Sequence, residues 1–595
     1  MFFSLLLAAG LQMAAAPDTL QAVTVVADRG VVVSRTDTVR IQSLLDVGGT
    51  LLYVPGLYVG DYGSASGLKT ASLRGLGSAH TAIYLDGVRV GNVQSGQADL
   101  GMLDLASLSN VVIDYAQNSL SFNTARPVFR NRPVAGTAKI AGGSFGTWQP
   151  YANVAVKLGE RWSLSAHAGG LVTNGKFPLS DGSFRSNNDM KQLQTGIDLF
   201  GNLQGGDFHA KIYYNGSDRG TPGSLDWPST DRQTDRNFGA QAVLKKSFSP
   251  LYTLNLSAKG AYDRLFYKSE WGDTDYKQTE FQLNSAHKFH LTSWWEVSLA
   301  ADVAFDKLNS TLYQQQRWGT VLALATAFRW ERFKADIALE YDGTFDKGVA
   351  PLHSLSPSAD IRFTIVEGLD LVAFGRRAFR APTFNELFYP GYGNSALKPE
   401  DAWMADLGVD FNRTLKNWQL EFRVDGYFNH LTNKIISAPS PDDPNVWMPY
   451  NVGKVQALGA DVLGNVVYFT ATGWMAGITV RYGYQKALDK TPDSYTFNQP
   501  IPYVAAHTLI INPLVAYKGW MLGATWNLRA GRRDSVGAMP NWNTVDIQFG
   551  KDFTLRTCTL GVRLTVRNLN NCRYETVSGY PMPGRSIMGG LVFNF

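Results

Sequence analysis

The amino-acid sequence predicts an all-β barrel that spans a membrane, and three observations support this fold class. Apolar and polar residues alternate with a period of two over long segments. No internal segment reaches the roughly 18 consecutive apolar residues that a transmembrane helix requires. Aromatic residues are abundant, with 15 Trp, 26 Tyr and 32 Phe in 595 residues. A chain that is rich in Trp and Gly and encodes no helical span can still enter a membrane as a closed barrel.

The alternation is clearest in four predicted strands of 8 to 12 residues. Soluble sheets usually have strands of about 5–6 residues, whereas a tilted strand needs about 9–11 residues to cross a bilayer. Tryptophans stand at the strand ends, as in the aromatic girdles of outer-membrane barrels. A large soluble β-protein is the alternative. The strands are Arg161–Ala168, Tyr252–Asp263, Trp295–Asp306 and Trp418–Asn429, and the tryptophans are Trp162, Trp294, Trp295 and Trp418.

Both ends of the chain carry features of an exported barrel. Met1–Ala16 is an apolar run that ends in small residues, which indicates a signal peptide cleaved near Ala16. A basic n-region is missing, and a buried or disordered start is the alternative. Ile587–Phe595 alternates and ends in an aromatic residue, so it resembles the terminal strand of outer-membrane barrels. We therefore expect the protein in the outer membrane of a Gram-negative bacterium, in contact with its lipid.

The residues before about position 130 show a different pattern of predicted secondary structure. Apolar residues between positions 45 and 54 predict a short amphipathic turn that Pro55-Gly56 ends. Ala71–Leu73 and Ala82–Leu85 predict short strands, and Asp86-Gly87 is a strong two-residue hairpin signal. This part of the chain is predicted to be a small mixed α/β unit placed before the barrel.

The composition argues against several functions. The formal net charge is +5 and is spread along the chain, whereas a nucleic-acid-binding protein would show a basic stripe. The eight histidines form no evident nucleophile–base pairing, and phosphate-loop and zinc-protease motifs are absent from the sequence. We expect no catalysis, no nucleic-acid partner and no required cofactor.

An ordered set of motifs resembles the TonB-dependent outer-membrane receptors. The plug domain of that family carries an LRG…IYLDGVR pattern, which stands here as Leu73–Gly75 and Ile83–Arg89. The barrel carries FRAPT…LKPE, which stands here as Phe379–Leu387 followed by Leu397–Glu400. Further matches are Pro55–Val59, Tyr450–Lys454, Asn568-Leu569, Tyr574-Glu575, Gly579–Pro581 and Pro583–Arg585.

The resemblance implies a barrel of about 22 antiparallel strands whose lumen holds an N-terminal α/β plug. The domains it implies are a signal peptide over 1–16, a TonB-box segment over 17–30, a plug over 31–133 and a barrel over 134–595. Residues 118–132 depart from the family pattern at the junction between plug and barrel, and only the chain from Ala135 onward looks regular.

The resemblance also implies active import, for which the outer membrane itself offers no energy source. In this family a short extended segment pairs as an added strand with the periplasmic protein TonB. The candidate is Asp18–Asp28, with β-favouring residues at its centre; a flexible tail or a plug strand is the alternative. The coupling residues are Asp18, Thr19, Leu20, Val23, Thr24, Val25 and Val26.

Three ligand classes compete within the family. Haem receptors place an axial His after the FRAP motif, and Thr383–Leu397 contains no His. Ferric-siderophore receptors favour aromatic and Arg residues in their outer loops and are often longer than this chain. Cobalamin receptors are close to this length, and their plug pattern resembles Pro17–Leu20, Arg74-Gly75, His80, Leu85–Arg89 and Ser95–Leu100. We therefore favour cobalamin or a related corrinoid, with a ferric siderophore as the alternative.

In the cobalamin branch two plug loops touch the corrinoid. Small residues and amides suit a ligand that approaches the backbone closely and is bonded without charge. Carried over to this chain, the first loop is Tyr62, Gly63, Ser64, Ala65, Ser66 and Gly67, and the second is Asn92, Val93, Gln94, Ser95, Gly96 and Gln97.

The cobalamin relatives also bind calcium through aspartates of early extracellular loops, which implies a structural calcium site here. Ca²⁺ takes 6–8 oxygen ligands, so carboxylates from two loops could supply one. Arginines are interspersed among them, and a solvated, salt-bridged loop pair is the alternative. The candidate ligands are Asp181, Asp189, Asp226, Asp231 and Asp235.

Two functions of a different class stay open from the sequence. A plugged barrel could serve as the docking base for a surface lipoprotein. A passive porin is disfavoured, because it would lack the coupling segment and the plug motifs.

Overall fold

Twenty-two antiparallel strands form one closed barrel, as the sequence predicts. The computed structural model describes residues 36–41, 51, 54, 56–439 and 447–595. The predicted signal peptide and TonB-box segment, and most of the turn predicted before Pro55, lie outside these residues. No helix of the described ranges has the length and apolar character needed to cross a bilayer.

The plug contains a five-stranded sheet and a separate two-stranded hairpin. The bounds of its strands are β1 (Thr36–Arg40), β2 (Leu57–Asp61), β3 (Lys69–Leu73), β4 (Ala82–Leu85), β5 (Val88–Val90), β6 (Leu108–Asp114) and β7 (Ser119–Thr124). The strand order in the sheet is β1-β6-β7-β4-β5, where β4 and β7 are parallel and the other neighbours antiparallel. The hairpin pairs β2 with β3.

Each barrel strand pairs with its neighbours along the chain, and the last strand closes the barrel on the first. The strands are β8 (Val134–Gly143), β9 (Thr147–Lys157), β10 (Trp162–Thr173), β11 (Met190–Leu203), β12 (Gly206–Gly220), β13 (Arg232–Ser249), β14 (Tyr252–Lys268), β15 (Thr274–His290), β16 (Trp295–Ser310), β17 (Gln314–Arg329), β18 (Phe333–Asp346), β19 (Leu352–Val366), β20 (Leu369–Arg380), β21 (Glu400–Leu415), β22 (Trp418–Pro439), β23 (Trp447–Phe469), β24 (Trp474–Asp489), β25 (His507–Tyr517), β26 (Trp520–Ala530), β29 (Trp542–Leu555), β30 (Cys558–Arg567) and β33 (Ser586–Asn594).

Short elements decorate the connections between the barrel strands. They are the α-helix α1 (Phe384–Phe388), the strand pair β27 (Arg532–Arg533) and β28 (Ala538–Met539), and the pair β31 (Glu575–Val577) and β32 (Tyr580–Pro581). One end of the barrel has turns of two residues, such as 204–205 and 518–519, whereas the other end has connections such as 381–399 and 568–585. Outer-membrane barrels have short periplasmic turns and longer extracellular loops, so the long-loop end is the outer one.

The barrel strands are longer than the sequence indicated. The four segments predicted as strands belong to β10, β14, β16 and β22, which have 12, 17, 16 and 22 residues. The predicted beginnings agree within one residue, but the predicted ends are too early. Apolar and polar residues alternate only where one face of the strand is in lipid. Beyond the bilayer both faces are polar, but the inter-strand hydrogen bonds continue.

The barrel wall separates an apolar outer face from a polar inner one. On β11, Leu193 and Ile197 point outward and are about half exposed, whereas Gln194 and Asp198 point inward and are buried. Aromatic rings stack near the short turns, and the centroids of Trp474 and Tyr517 lie 4.2 Å apart. This arrangement of aromatic rings confirms the predicted girdle at that end of the barrel.

A buried arginine ties the plug to one wall of the barrel. Arg74, of the LRG motif, is 2% exposed and donates to Asp406 at 2.7 Å and to Asp461 at 3.0 Å. Its guanidinium carbon also lies 4.4 Å and 4.2 Å from the ring centroids of Tyr115 and Tyr427. Burial by itself lowers the pKa of Arg74, but the two carboxylates more than offset it, so the pKa lies above its ordinary value. We call this group of five side chains the arginine clasp.

A second contact, of opposite polarity, ties the plug to the wall across the lumen. Asp86 begins the hairpin turn of the IYLDGVR motif with a φ of 52°, a left-handed conformation that Asn, Asp and Gly tolerate. Its carboxylate accepts from the backbone and hydroxyl of Thr124 and lies 3.3 Å from Nζ of Lys211 on β12. Burial alone raises the pKa of Asp86, but Lys211 and the neighbouring His209 reverse the effect and lower it.

The junction between plug and barrel is more regular than predicted. The stretch expected to be irregular contains β7, which lies inside the plug sheet between β6 and β4. Five of its six residues are buried, including Ser119 and Ser121. Because a strand buried on both faces shows no alternation, the pattern of the sequence concealed it. The first barrel strand begins at Val134.

Candidate ligand-binding site

Both plug loops that the resemblance implicates line one cavity of about 740 Å³ at the long-loop end of the barrel. Ser64 and Ala65 instead line a neighbouring cavity of about 240 Å³, Gly63 is buried beside Asn188, and Val93 and Gly96 contact the barrel. The predicted residues that line the larger cavity are Tyr62, Ser66, Gly67, Asn92, Gln94, Ser95 and Gln97.

The first loop, residues 62–67, closes the hairpin of β2 and β3 and is bonded internally. Asp61 accepts from the backbone N–H groups of Gly63 and Ser64 at 3.2 Å and 2.8 Å. At the beginning of β3, Nζ of Lys69 donates to the carbonyls of Ser64 and Gly67. A Cβ atom at Gly67 would lie 2.5 Å from the backbone of Tyr62, so the loop requires glycine there.

The barrel holds the same loop from outside. The hydroxyl of Ser66 donates to the side chain of Asn188 at 2.6 Å, and Arg219 donates to the Ser66 carbonyl at 3.2 Å. The rings of Tyr62 and Tyr580 meet edge to face, with centroids 5.2 Å apart. Burial raises the pKa of Tyr62, so its hydroxyl stays protonated and can donate to a ligand. The loop is therefore ordered before any ligand arrives.

The second loop, residues 92–97, is an Asx turn that rests on the barrel. The side chain of Asn92 accepts from the N–H groups of Gln94 and Ser95 at 2.9 Å and 3.1 Å. The carbonyls of Val93 and Gln94 accept from the first two N–H groups of helix α1, both at 3.0 Å. Gly96 has a φ of 70°, and a Cβ there would lie 2.5 Å from Cγ2 of Thr383. Ser95 is the exposed tip.

The FRAPT motif builds the support for this second loop. Thr383 caps α1 and forms a reciprocal capping box with Glu386, which fixes the short helix. Arg380 binds Glu386 at 3.0 Å and Glu400 at 2.6 Å, and Glu400 also contacts the ring of His80 in the plug. His80, which was part of the cobalamin-like pattern, thus joins plug to barrel and does not line the cavity.

Tyrosines of the barrel form the wall opposite the plug loops. Three of them lie on the nearby strands β12, β14 and β15, and Tyr580 lies in the connection before the last strand. Their rings offer flat apolar faces with a hydroxyl at the rim. The tyrosines whose rings face the cavity from the barrel are Tyr213, Tyr267, Tyr276 and Tyr580.

Every cationic side chain that lines the cavity in the described part of the chain, histidine aside, has a carboxylate partner. Because these cations are already compensated, the cavity offers its ligand amides, hydroxyls and aromatic rings, together with the carboxyl groups of Asp231 and Asp263. The pairs, with N–O distances, are Lys211 with Asp86 at 3.3 Å, Arg219 with Asp99 at 2.7 Å, Lys259 with Glu280 at 2.6 Å, and Arg264 with Asp275 at 2.9 Å.

The structure does not gather the five aspartates proposed for calcium into one site. Asp181 accepts from Ser183, which lowers its pKa, and the hydrogen bond from Arg232 lowers the pKa of Asp189. Asp231 accepts from Tyr267, Asp235 is buried against Ser217 and Arg219, and Asp226 lies at the exposed end of its loop. Within the described ranges no three His, Cys, Asp or Glu side chains could share a metal ion. Calcium binding stays an untested prediction.

Comparison with protein families gives two matches that together span most of the chain. The model described as "TonB dependent receptor-like, beta-barrel" matches residues 167–569. The model described as "TonB-dependent Receptor Plug Domain" matches residues 18–127.

Comparison with individual proteins gives relatives of modest identity. The vitamin B12 transporter BtuB of Photobacterium profundum is 24% identical over 498 residues, which cover 77% of this chain and 75% of that protein. The protein of the same name from Vibrio vulnificus is 21% identical over 596 residues, which cover 91% and 87%.

Solved structures share the fold at still lower identity. The copper transporter OprC superposes with a TM-score of 0.76 at 13% identity, covering 94% of this chain and 100% of that one. The siderophore receptor PirA from Acinetobacter baumannii gives a TM-score of 0.76 at 12% identity, covering 94% and 98%. These two proteins are named for different ligands, so their likeness establishes the architecture alone.

Proposed function

The chain belongs to the family of TonB-dependent receptors, and from this membership we propose that it imports cobalamin or a related corrinoid across the outer membrane. Proteins of this family are transport proteins of the outer membrane and not enzymes, and they move large ligands with energy delivered through TonB. The corrinoid is the specific part of the proposal.

The observation that carries this choice is that each lysine and arginine lining the cavity is paired with a carboxylate. A corrinoid is large and mostly uncharged, and its rim carries amide groups. Gln94 and Gln97 can each donate and accept a hydrogen bond, which suits such amides. An anionic iron chelate would instead be favoured by uncompensated cations, and Lys211, Arg219, Lys259 and Arg264 are each paired. The two BtuB relatives support the same choice.

Binding of cyanocobalamin to the purified protein tests the ligand. We expect saturable binding in titration calorimetry, and we expect Ser95→Trp to abolish it, because the indole would fill the cavity from the exposed loop tip. Val536→Trp is the matched control, since Val536 is 91% exposed and does not line the cavity. Gly96→Trp is unsuitable, because the left-handed backbone and Thr383 would distort the loop itself.

The outcomes separate the two ligand classes. Loss of binding in the Ser95 variant together with retention in the Val536 variant supports the corrinoid site. If the parent protein ignores cyanocobalamin and captures a ferric siderophore, the corrinoid proposal is refuted and the siderophore alternative is correct.

Energy coupling is tested separately, through the segment Asp18–Asp28. If this segment pairs with TonB as an added strand, Thr24→Pro removes a backbone donor and bends the strand. Uptake into cells should then stop while binding at the cell surface persists, and Thr24→Ala should transport normally. Unimpaired uptake by the proline variant would exclude this segment as the coupling strand.

A further inference from the structure

One plug segment lies between the ligand cavity and the barrel wall without belonging to the plug sheet. We call this segment, residues 99–107, the strap. It consists of two short 3₁₀ turns, Leu100–Met102 and Leu105–Ser107, joined by Leu103 and Asp104. Leu100 is fully buried in the plug core, so the strap has one side on the plug and the other side on the barrel.

The barrel binds the strap through the carboxylate of Asp99, which pairs with Arg219 on β12 at 2.7 Å, and through backbone carbonyls. Side-chain amides donate to two of them: Gln192 on β11 reaches the Gly101 carbonyl at 3.2 Å, and Gln194 reaches the Met102 carbonyl at 3.2 Å. Asn215 on β12 donates to the Met102 carbonyl as well. We call Gln192, Gln194 and Asn215 the amide row.

Further along the strap the barrel contacts include charged groups. Nζ of Lys139 on β8 donates to the Ala106 carbonyl at 3.1 Å, and His167 on β10 lies 3.0 Å from Asp104. Lys139 and His167 are near the middle of their strands, whereas the amide row is nearer the long-loop end. The strap therefore follows the wall from the ligand cavity toward the centre of the barrel.

The strap also separates two cavities. The ligand cavity of about 740 Å³ lies on one side, and the cavity of about 240 Å³ lies on the other, in the long-loop half of the barrel against β8–β10, β33 and the connection before β33. Leu103, Asp104 and Gln194 line both cavities, so little besides the strap divides them. The smaller cavity is bordered by small residues such as Ala141, Gly169 and Gly170, which leave room for a bulky group.

We propose that the amide row is a second binding station for the transported ligand, which the strap occupies at rest, and that displacement of the strap joins the two cavities into one passage along β8–β12. The inference rests on the proposed function for the chemistry of the ligand, a neutral molecule with peripheral amides. A backbone carbonyl and a ligand amide carbonyl are the same acceptor. Their exchange leaves the amide row with the same number and kind of hydrogen bonds.

A reversible tether between strap and barrel tests this proposal in whole cells. Cys558 and Cys572 are first replaced by Ser, because both thiols are free. Met102→Cys and Gln194→Cys are then joined by a short bis-methanethiosulfonate reagent, which dithiothreitol cleaves. The control tether joins Arg89→Cys to Gln282→Cys, where the plug hairpin meets another wall through a hydrogen bond of 3.3 Å.

Surface binding and uptake of radiolabelled cyanocobalamin are measured before bridging, after bridging and after cleavage. We expect the strap tether to stop uptake, with recovery after cleavage, while surface binding persists. We expect the control tether to leave uptake intact. Equal uptake with and without the strap tether would overturn the proposal. Loss of uptake with both tethers would overturn it too, because the plug would then have to leave the barrel wall as a whole.

The same measurements keep this inference apart from the proposed function. If the unbridged protein does not bind cyanocobalamin, the corrinoid proposal fails, and the tether comparison is made with the ferric siderophore that the protein captures. An effect of the strap tether on that ligand would support the passage while rejecting the corrinoid.

Discussion

The arginine clasp and the amide row both bind the plug to the barrel, but they are built from different chemistry. In the clasp, a fully charged guanidinium lies between Asp406 and Asp461 and is stacked between two tyrosine rings. In the amide row, neutral barrel amides bind neutral backbone carbonyls of the strap, and the ion pairs of Asp99 with Arg219 and of Asp104 with His167 are separate contacts of the strap. Removing one partner of a buried ion pair leaves an uncompensated charge, whereas a neutral hydrogen bond can be exchanged for another of the same kind.

This difference indicates how a plug can be stable at rest and still open. Charged contacts, among them those of Arg74, Asp86 and Asp99, fix the position of the plug on opposite walls. The exchangeable contacts are found where the ligand cavity borders the wall. A ligand with amide groups can compete for the second kind and cannot compete for the first.

The largest effect is expected from Arg74→Ala. The change leaves two buried carboxylates without their cation, and breaking a buried pair in this way costs about 3–5 kcal/mol. The plug of the purified variant should therefore unfold at lower denaturant concentration, measured by its susceptibility to protease while the barrel stays folded.

Arg232→Ala is the matched control for Arg74→Ala. Arg232 also contacts two aspartates, Asp189 at 2.9 Å and Asp218 at 3.2 Å, but its side chain is 38% exposed. Exposed pairs contribute about 0–1 kcal/mol, so this variant should match the parent. Similar losses in the two variants would show that burial does not distinguish the clasp.

A smaller effect is expected from Asp86→Asn, and it depends on pH. Asn is tolerated in the left-handed turn and can still accept from Thr124, and Lys211 keeps a second carboxylate, Asp198, at 3.6 Å. The lost charge-assisted contact should cost the plug about 1–3 kcal/mol at neutral pH.

The sign of the pH dependence follows from the lowered pKa of Asp86. A carboxyl whose pKa is lowered by folding stabilises the folded state above its ordinary pKa of about 3.9, and this contribution is lost as the pH falls through the folded value. The difference in plug stability between parent and Asn variant should be constant from about pH 7 to pH 5 and shrink below about pH 4. A difference that is already lost near pH 6 would contradict the assignment to Asp86.

The smallest effect on stability is expected from Gln194→Leu. One neutral hydrogen bond to the strap is removed, while Asn215 still donates to the same carbonyl, so the plug should lose about 0.5–1.5 kcal/mol. Denaturation of the plug measures this loss. Gln241→Leu is the control, because Gln241 makes a similar bond to the Leu85 carbonyl away from the strap. Only the Gln194 variant should also transport more slowly, and equal transport in both would argue against the second station.

Much of the fold could be predicted from the sequence, because lipid on one side and a polar lumen on the other impose alternation on each strand. The aromatic strand ends and the hairpin at Asp86-Gly87 could also be predicted, because each depends only on residues that are close together in the sequence. The predicted strand ends were too early, because beyond the bilayer both faces of a strand are polar and the sequence no longer alternates. Strand β7 was missed because Ser119 and Ser121 are buried polar residues inside the plug.

The candidate site was only partly predictable. The two plug loops are continuous in sequence and could be carried over from the family pattern. The tyrosine wall and the amide row could not, because which residues face the cavity depends on the position of the plug, and Tyr580 reaches Tyr213 and Tyr276 only when the barrel closes. Nor could the sequence show that Arg74 and Asp86 hold opposite walls, since their partners on β12, β21 and β23 are more than 120 residues away.

The closure of the barrel has a consequence for biogenesis. Strand β33 pairs with β8 from Met588↔Gly143 to Asn594↔Thr137, so the wall is completed only when the barrel strand that follows all the others in the chain pairs with the first. Every other neighbouring pair of barrel strands is adjacent along the chain and can form as a local hairpin. The plug precedes the barrel in the chain. It must therefore lie inside the curved sheet before β33 pairs with β8 and closes the barrel. Deleting β33 should leave a sheet with two unpaired edges around a plug that is no longer enclosed, a target for periplasmic proteases.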